Sequence, residues 1–229
     1  VDKESAPSNQ EIPSYIQVIG AIYKNSDPSD IAVTAAGGLV GEVIQVWRPR
    51  ELNTHETEWG FSCMSYEISG ALGIKMANPD KEVISFVGDG SYLLNNTDIY
   101  SSVITNNKLI IIVCDNGGFA VINRLQLFKG GNEYNNLLKS SNAPGLVDVD
   151  FAKHAESMGA KSEHVNSISD LEEAFKRAKK SDVTYVISIK THAYQWLEGS
   201  AFWDSPTLEI PTTKENKEAL KLHKEGKSK

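Results

Sequence analysis

The sequence predicts an α/β fold: a doubly wound, mostly parallel sheet with helices on both faces. Short apolar runs of strand length alternate along the chain with longer amphipathic segments. The clearest example is residues 83–118, where two such runs, residues 83–87 and 109–114, flank one amphipathic segment. Because parallel strands are joined by crossover helices, this strand, helix, strand unit predicts two parallel neighbours.

Three further elements are predicted upstream of this unit. Near the start of the chain, apolar residues at helical spacing share one face: Ile12, Tyr15, Ile16, Ile19 and Tyr23. Residues 31–36 predict a buried strand that ends in the glycine turn Gly37-Gly38. Residues 64–77 predict a helix that leads into the central unit.

Downstream, the chain continues with helices and one more strand. Residues 151–158 predict a short helix closed by Gly159. Ser169 and Glu172 have the spacing of a capping box and predict the start of an amphipathic helix. Residues 185–191 predict the last strand. Helices therefore alternate with strands along most of the chain, as a doubly wound sheet requires.

The chain of 229 residues is long enough for one large domain, which we place at residues 12–197. Residues 1–11 are polar and begin with Val rather than Met, so we interpret them as a linker from a longer protein. Residues 198–229 are predicted to form a C-terminal extension that ends in an exposed, Lys-rich tail.

Two regions have less regular sequences. Residues 117–145 are polar, contain glycine and show no clear periodicity, which predicts a long loop of the kind that is usually functional or disordered. Trp196, Phe202 and Trp203 follow the last strand and are predicted to pack over the site.

Composition excludes several classes of function. The formal net charge of −7 disfavours nucleic acid and anionic membranes as partners. No apolar run approaches the roughly 18 residues of a membrane span, and the N-terminus has no signal-peptide apolar region. Cys63 and Cys114 belong to no CxxC or Cys/His cluster, which favours a reducing compartment. We predict a cytoplasmic enzyme.

The two strands of the central unit end in polar clusters that predict a binding site. Gly88-Asp89-Gly90-Ser91 follows the first strand, and Asp115-Asn116-Gly117-Gly118 follows the second. Parallel strands bring both clusters to the carboxyl edge of the sheet, where ligands bind in such folds. Gly88 and Gly90 let the backbone approach a ligand, and Ser91 is expected to start a helix whose N–H groups attract an anion. A phosphate group fits this pattern.

A metal ion is expected beside that phosphate. No Lys or Arg lies between Glu82 and Lys108 to neutralise it. Asp89 offers a carboxylate, Asn116 a side-chain carbonyl, and the glycines beyond it a backbone carbonyl, a set of oxygen ligands that suits Mg²⁺ or Ca²⁺. The sequence therefore predicts a metal-bridged diphosphate.

The Gly88-Asp89-Gly90 triplet followed by Asn116 resembles the cofactor signature of thiamine-diphosphate enzymes. The usual ending of that signature is Asn-Asn, where this chain has Asp115-Asn116. The resemblance implies thiamine diphosphate and Mg²⁺ as cofactors. It also implies that Asp89, the Asn116 side chain and the Gly118 carbonyl bind the metal, while the amides of Gly90 and Ser91 contact the diphosphate.

The same resemblance implies roles for two residues outside the signature. Gly38 is expected close to the cofactor, and Met64 occupies the position of a bulky apolar residue that supports the bent cofactor. This chain has Ser65 where the family has Gly. The nearest titratable residues are predicted to be solvated or capping, and none is assigned as a general base: His55, Glu56, Glu58 and Glu67.

Four other segments narrow the resemblance to the C-terminal part of the trihydroxycyclohexane-1,2-dione hydrolases, over roughly residues 12–197. They are AAGGLVGE at 35–42, WRPR at 47–50, EWGFSCMSYE at 58–67 and NRLQ at 123–126. This implies hydrolysis of a ring C–C bond in a cyclic polyol-dione, giving 5-deoxyglucuronate in myo-inositol catabolism. The cofactor would serve as the electron sink.

Thiamine-diphosphate enzymes bind the cofactor between this type of domain and a pyrimidine-binding domain, which provides an activating Glu. The chain resembles only the first of these. The resemblance therefore implies a pyrimidine-binding domain from the same or a second chain as partner, a homodimer or tetramer for the full-length protein, and an isolated chain that is inactive.

Three other functions agree with part of the sequence. A haloacid-dehalogenase-like phosphatase also has a GDG motif, but its upstream Asp-x-Asp is absent; Asp148 and Asp150 lie downstream and predict a helix N-terminus instead. The second is an acetolactate-synthase-like carboligase or decarboxylase that uses the same cofactor. The third is a cofactor-binding module without catalysis.

Overall fold

The structure, a computed structural model, describes residues 3, 5, 12–142, 145, 148–197 and 208–227, with residues 226 and 227 described by backbone only. One parallel sheet forms its centre. The strands are β1 (Ile31–Thr34), β2 (His55–Thr57), β3 (Val83–Gly88), β4 (Ile110–Asp115), β5 (Lys161–Val165) and β6 (Tyr185–Lys190). They lie in the order β2-β1-β3-β4-β6-β5, and every neighbouring pair is parallel.

Helices cover both faces of this sheet, which confirms the predicted fold class. The helices are α1 (Tyr15–Asn25), α2 (Gly37–Val46), α3 (Tyr66–Ala77), α4 (Asp89–Leu94), α5 (Thr97–Ile104), α6 (Ala120–Phe128), α7 (Phe151–Ser157), α8 (Ile168–Lys179) and α9 (Lys214–Lys227). A short 3₁₀ helix spans Leu138–Ser140.

Two hydrophobic cores hold the layers together. One packs α1, α2 and α8 against the sheet, and the other packs α3, α4, α5 and α7 against the opposite face. Strand β4 serves both, since Ile110 and Ile112 enter the first core while Ile111 and Val113 enter the second. Successive side chains of a strand point to opposite faces, so a strand buried on both sides is apolar throughout.

The central unit has the predicted parallel pairing. Strands β3 and β4 are neighbours with Gly88 opposite Cys114, so the two polar clusters begin at the same sheet edge. Strand β1 lies on the other side of β3, and the chain leaves β1 towards β2 but leaves β3 towards β4. The strand order thus reverses between β1 and β3, the position where such sheets bind ligands.

Some predicted elements were wrong in detail. The 117–145 segment is not a continuous loop, because it contains α6 and the 3₁₀ helix. Only Ala120 and Asn123 of α6 are buried, so its apolar residues show no single stripe. The edge strands β2 and β5 were not predicted, since they are short and carry polar side chains.

Two local predictions near helix starts also need correction. Helix α8 is capped by Ser167, whose Oγ accepts the Asp170 N–H at 3.1 Å, and not by a Ser169–Glu172 capping box. Ile12 lies before α1 and is exposed, while Tyr15, Ile16 and Ile19 are buried as predicted.

The predicted short helix after the loop is present. Its N-cap is Asp150, whose side chain accepts the Lys153 N–H, which confirms the helix N-terminus expected at that position. Gly159, with φ +86°, follows its C-terminus. The final strand β6 also agrees with the predicted range.

The C-terminal tail forms α9 and is less exposed than predicted. The side chain of Asn216 is buried and donates a hydrogen bond to the Gly130 carbonyl at 2.6 Å. Phe202 and Trp203 lie outside the described residues, as does most of the 1–11 linker. Within the described ranges, no helix combines the length and apolar composition needed to cross a bilayer.

Candidate functional site

A cleft of about 240 Å³ opens at the carboxyl ends of β1, β3 and β4. The residues that line it include every one predicted to bind cofactor or metal: Gly38, Met64, Gly88, Asp89, Gly90, Ser91, Asn116 and Gly118. These residues come from four separate stretches of the chain. Folding alone therefore assembles the predicted set into one concave site.

The first polar cluster forms the start of a helix at the edge of this cleft. Helix α4 begins at Asp89 with Gly88 as its N-cap, so it starts two residues before the predicted Ser91. A Cβ on Gly90 would lie 2.6 Å from the ring of Phe119. Gly90 is therefore required by the packing of Phe119 against the helix start.

Asp89 is buried at the bottom of the cleft with one oxygen unused. Its Oδ2 accepts the Gly118 N–H at 2.7 Å, while Oδ1 is buried without a hydrogen-bond partner. Burial and, secondarily, the charge of Asp115 raise the pKa of Asp89 to about 7. A cation beside Oδ1 would favour the ionised form and satisfy the free oxygen.

Asn116 repeats this pattern from the end of the neighbouring strand. Its Nδ2 donates to the hydroxyl of Tyr15 on α1, and its Oδ1 is buried without a partner. Buried polar atoms are normally hydrogen-bonded, so two such oxygens in one cleft indicate an absent ligand. Carboxylate and amide oxygens are the donors that Mg²⁺ prefers.

This candidate metal centre differs from a carboxylate or histidine cluster. In the part of the chain that the structure describes, no group of three or more His, Cys, Asp or Glu side chains is placed to hold a metal ion. The candidate ligands combine one carboxylate, one amide and the backbone. Such a site suits Mg²⁺, which takes few protein ligands and completes its shell with phosphate oxygens and water.

Gly118 is held by pairing on both sides of it. The Gly117 carbonyl accepts the Leu138 N–H at 2.8 Å, and the Phe119 N–H donates to the Asn136 carbonyl at 2.7 Å. Gly118 itself has φ +137°, and a Cβ there would lie 2.5 Å from the Asn136 oxygen. Only glycine fits this position without strain.

We therefore expect Gly118→Ala to lower the free energy of unfolding by at least ~2 kcal/mol, because it adds both backbone strain and a clash with backbone atoms. Gly73→Ala is the matched control. Gly73 lies in α3, and apart from the backbone of its own helix no atom lies within 4 Å of the position that a Cβ would take, so its replacement should raise stability by ~0.5–1 kcal/mol. Urea unfolding of both variants measures this, and equal stabilities would contradict the geometry at Gly118.

Comparison with known proteins identifies the type of domain. The sequence profile described as "Thiamine pyrophosphate enzyme, C-terminal TPP binding domain" matches residues 35–189. The chain belongs to this family. Thiamine pyrophosphate (TPP) and thiamine diphosphate are the same compound, so the resemblance carried by Gly88, Asp89, Gly90 and Asn116 is confirmed at the level of the family.

Relatives of this TPP-binding domain are much longer proteins. Those named 3D-(3,5/4)-trihydroxycyclohexane-1,2-dione hydrolase from Bacillus licheniformis and Bacillus subtilis are 37% and 35% identical to it over 193 and 195 residues. The alignments cover 84% and 85% of this chain and 30% of each relative. The chain thus spans about a third of the length of these relatives.

Solved structures support the same fold. The thiamine diphosphate-dependent 4-hydroxybenzoylformate decarboxylase of Rhodococcus jostii RHA1 matches with a TM-score of 0.68 at 20% identity, over 82% of this chain and 34% of that chain. Benzoylformate decarboxylase from Polynucleobacter necessarius gives 0.66 at 21% identity, over 79% and 33%. These likenesses show the fold of the TPP-binding domain.

The Asp115 that departs from the usual signature of TPP enzymes is paired with a lysine. Its Oδ1 accepts the Gly117 N–H at 3.0 Å, and its Oδ2 lies 2.6 Å from the Lys190 ammonium. Lys190 also contacts Asp148 at 2.6 Å. Lys190, at the end of β6, therefore forms an ion pair with this carboxylate. The contact links residues that are 75 positions apart in sequence.

The remaining walls of the cleft are mostly apolar. Met64 lies between β2 and α3, and Gly38 lies in the first turn of α2. On the opposite side, α6 contributes Val121, Ile122 and Leu125. The helix that the sequence did not predict thus forms one wall of the site in the TPP-binding domain.

Two residues at the site were missed or misjudged from sequence. Tyr15 was assigned to core packing, yet it lines the cleft and binds Asn116. Glu67 was predicted to be solvated or capping, yet it is 1% exposed. No sequence signal marked Glu67 as buried, because the helical face that it shares with Ala71 and Lys75 carries two charged side chains, and such a face is normally solvated.

Proposed function

We propose that this TPP-binding domain holds Mg²⁺ and the diphosphate of the cofactor in the cleft at the ends of β1, β3 and β4. The observation that carries this proposal is the pair of buried, unpartnered oxygens, Asp89 Oδ1 and Asn116 Oδ1. These two atoms, with the Gly118 carbonyl, would bind the metal. The backbone amides at Gly90 and Ser91, in the first turn of α4, would bind the diphosphate.

Other residues of the chain would orient the cofactor and its metal. Tyr15 accepts the Asn116 amide N–H, which fixes the orientation of the amide and would leave Asn116 Oδ1 free to bind the metal. Met64, Val121 and Leu125 give the cleft apolar walls that exclude water around the rest of the cofactor. When bound, thiamine diphosphate supplies an electron sink for cleavage of a bond next to a carbonyl.

We further propose that the full-length protein hydrolyses a C–C bond of a cyclic 1,2-dione, opening trihydroxycyclohexane-1,2-dione to 5-deoxyglucuronate. The support is the identity of 35–38% to relatives named for that reaction. Three of the four segments that resemble these enzymes also lie at the site, since Gly38, Met64 and Leu125 line the cleft. The reaction class consumes water and no redox equivalent.

The segment NRLQ contributes to the site in a second way. Asn123 Nδ2 donates to Glu133 at 2.8 Å, and Gln126 accepts from Asn136 at 2.6 Å. Asn136 in turn accepts the Phe119 N–H, which fixes the strand-like pairing beside Gly118. This motif thereby supports the backbone of one proposed metal ligand.

A pyrimidine-binding domain from the same or a second chain is the proposed partner. Large apolar side chains stand exposed at the mouth of the cleft, as Phe119 and Ile122 line it and Phe61 adjoins Ser62 on its rim. Phe61 is 89% exposed. Exposed apolar patches of this kind mark interaction surfaces. We propose a cytoplasmic homodimer or tetramer for the full-length protein and no catalysis by the isolated chain.

A carboligase or decarboxylase of the acetolactate-synthase type is the second candidate. It would use the same metal and diphosphate site, so the geometry of Asp89 and Asn116 does not separate the two. The benzoylformate decarboxylase likeness concerns the fold. A cofactor-binding module without turnover is the third candidate, and it applies to the isolated chain.

The test is to assay the full-length protein with Mg²⁺ and thiamine diphosphate, using the cyclic dione and pyruvate as separate substrates. We expect kcat/KM for the dione to exceed that for pyruvate by about a hundredfold or more, because an enzyme that hydrogen-bonds the hydroxyls of its substrate discriminates strongly against a compound that lacks them. Formation of acetolactate from pyruvate, without turnover of the dione, would reverse the assignment.

A further inference from the structure

Glu67 is a buried carboxylate whose two oxygens bind two different segments of the site. It lies in the first turn of α3. Its Oε1 accepts the Ala36 N–H at 3.1 Å, and its Oε2 accepts the Ser91 O–H at 2.8 Å. Both oxygens act as acceptors, which is the pattern of an ionised carboxylate.

The hydroxyl of Ser91 connects Glu67 to a third segment of the site. Its Oγ, while donating to Glu67, also accepts the Ser65 N–H at 2.6 Å. Ser65 has φ +77°, a left-handed conformation that is strained for a non-glycine residue, because its Cβ comes too close to the following carbonyl oxygen. The hydrogen bond to Ser91 helps to hold Ser65 there.

All three linked segments line the cleft, together with Asn116, Gly118 and α6. Ala36 precedes the Gly37-Gly38 turn, Ser65 follows Met64, and Ser91 follows Gly90. Glu67 is itself anchored, because the Ser85 hydroxyl on β3 donates to its backbone carbonyl at 2.8 Å. One carboxylate therefore connects three walls of the cleft to the central sheet.

A purely structural role does not explain this choice of residue. Burial raises the pKa of Glu67, and its hydrogen bonds come from backbone N–H groups and a hydroxyl rather than from a Lys or Arg. A buried carboxylate without a cationic partner destabilises a fold relative to an apolar side chain of similar size. Such a group is retained where its geometry serves a site.

We propose that Glu67 is a positioning residue that sets the spacing between Gly38, Met64 and Gly90 around the diphosphate. The inference rests on the proposed cofactor site. The inference also gives the Ser91 hydroxyl a role. Because its proton is donated to Glu67, Ser91 would bind a diphosphate through its backbone N–H and not through its side chain.

The experiment compares three variants of this chain. Glu67→Leu removes both acceptors but keeps the bulk of the side chain. Glu67→Gln keeps one acceptor for Ala36 and places an amide N–H beside Ser91, whose hydroxyl oxygen accepts it. Ser102→Ala is the matched control, since it removes a buried hydroxyl that binds the Ile99 carbonyl and Thr184, and Ser102 neither lines the cleft nor contacts Glu67.

Two measurements are made on each variant: amide hydrogen exchange, and calorimetric titration with thiamine diphosphate plus Mg²⁺. In Glu67→Leu we expect exchange at Ala36 and Ser65 to rise at least tenfold, and cofactor affinity to fall at least tenfold. Glu67→Gln should stay within about threefold of wild type in both. Ser102→Ala should lose stability but keep wild-type affinity.

Three results would overturn the inference: wild-type exchange and affinity in Glu67→Leu, an equal loss of affinity in Ser102→Ala, or a loss in Glu67→Gln as large as in Glu67→Leu. A different result would show that the proposed cofactor site itself is wrong. A wild-type chain that binds no thiamine diphosphate, even with a pyrimidine-binding domain added, refutes the cofactor site, while the exchange measurement still decides whether Glu67 links the three segments.

Discussion

Asp89→Ala is expected to abolish Mg²⁺-dependent binding of thiamine diphosphate, with a loss of at least about a hundredfold in affinity, or ~2.7 kcal/mol. Asp89 is the one carboxylate among the proposed metal ligands, and its Oδ1 is buried without a partner. Removing it takes away the charge that a divalent cation needs in a buried site. Isothermal titration calorimetry with and without Mg²⁺ measures the effect.

Two further variants separate binding from folding. Asp89→Asn keeps the size of the side chain and an acceptor for the Gly118 N–H but removes the charge. We expect it to fold like wild type and still to lose Mg²⁺-dependent binding. Asp80→Ala removes an exposed carboxylate and should change nothing. Undiminished affinity in Asp89→Ala would show that the metal lies elsewhere.

The second large effect is expected from adding the missing partner. This chain alone should show no hydrolysis of the cyclic dione above background, and addition of a pyrimidine-binding domain should raise the rate by at least about a hundredfold. A cofactor enclosed on one side is bound weakly and is not held in a reactive geometry. Dione consumption and cofactor affinity are measured together during the titration.

Surface variants test where the partner docks. Phe61→Asp, at the rim of the cleft, should weaken this complementation at least tenfold. Leu52→Asp is the matched control, because Leu52 is 90% exposed in the loop that leads into the opposite, amino-terminal end of β2. Strong activity from the chain alone, before any partner is added, would mean that a catalytic base lies within these 229 residues.

Much of the fold could be predicted because its signals are local. Strands β3 and β4 are buried on both faces, so each is a nearly continuous apolar run that is recognisable without knowledge of its neighbours. The clusters that follow them need only the parallel pairing of the two strands to meet at one edge. The proposed ligands Asp89, Asn116 and Gly118 follow from that one step.

The contacts that complete the site join residues far apart in sequence. Tyr15 is hydrogen-bonded to Asn116, and Lys190 forms an ion pair with Asp115. Helix α6 forms a wall of the cleft with apolar side chains that are not part of the hydrophobic cores. A spacing pattern reports which face of an element is buried but not what that face contacts. Glu67 shows this most clearly: the sequence predicts a solvated or capping residue, whereas its burial and its role as an acceptor for Ala36 and Ser91 arise only when the fold brings α3 beside the ends of β1 and β3.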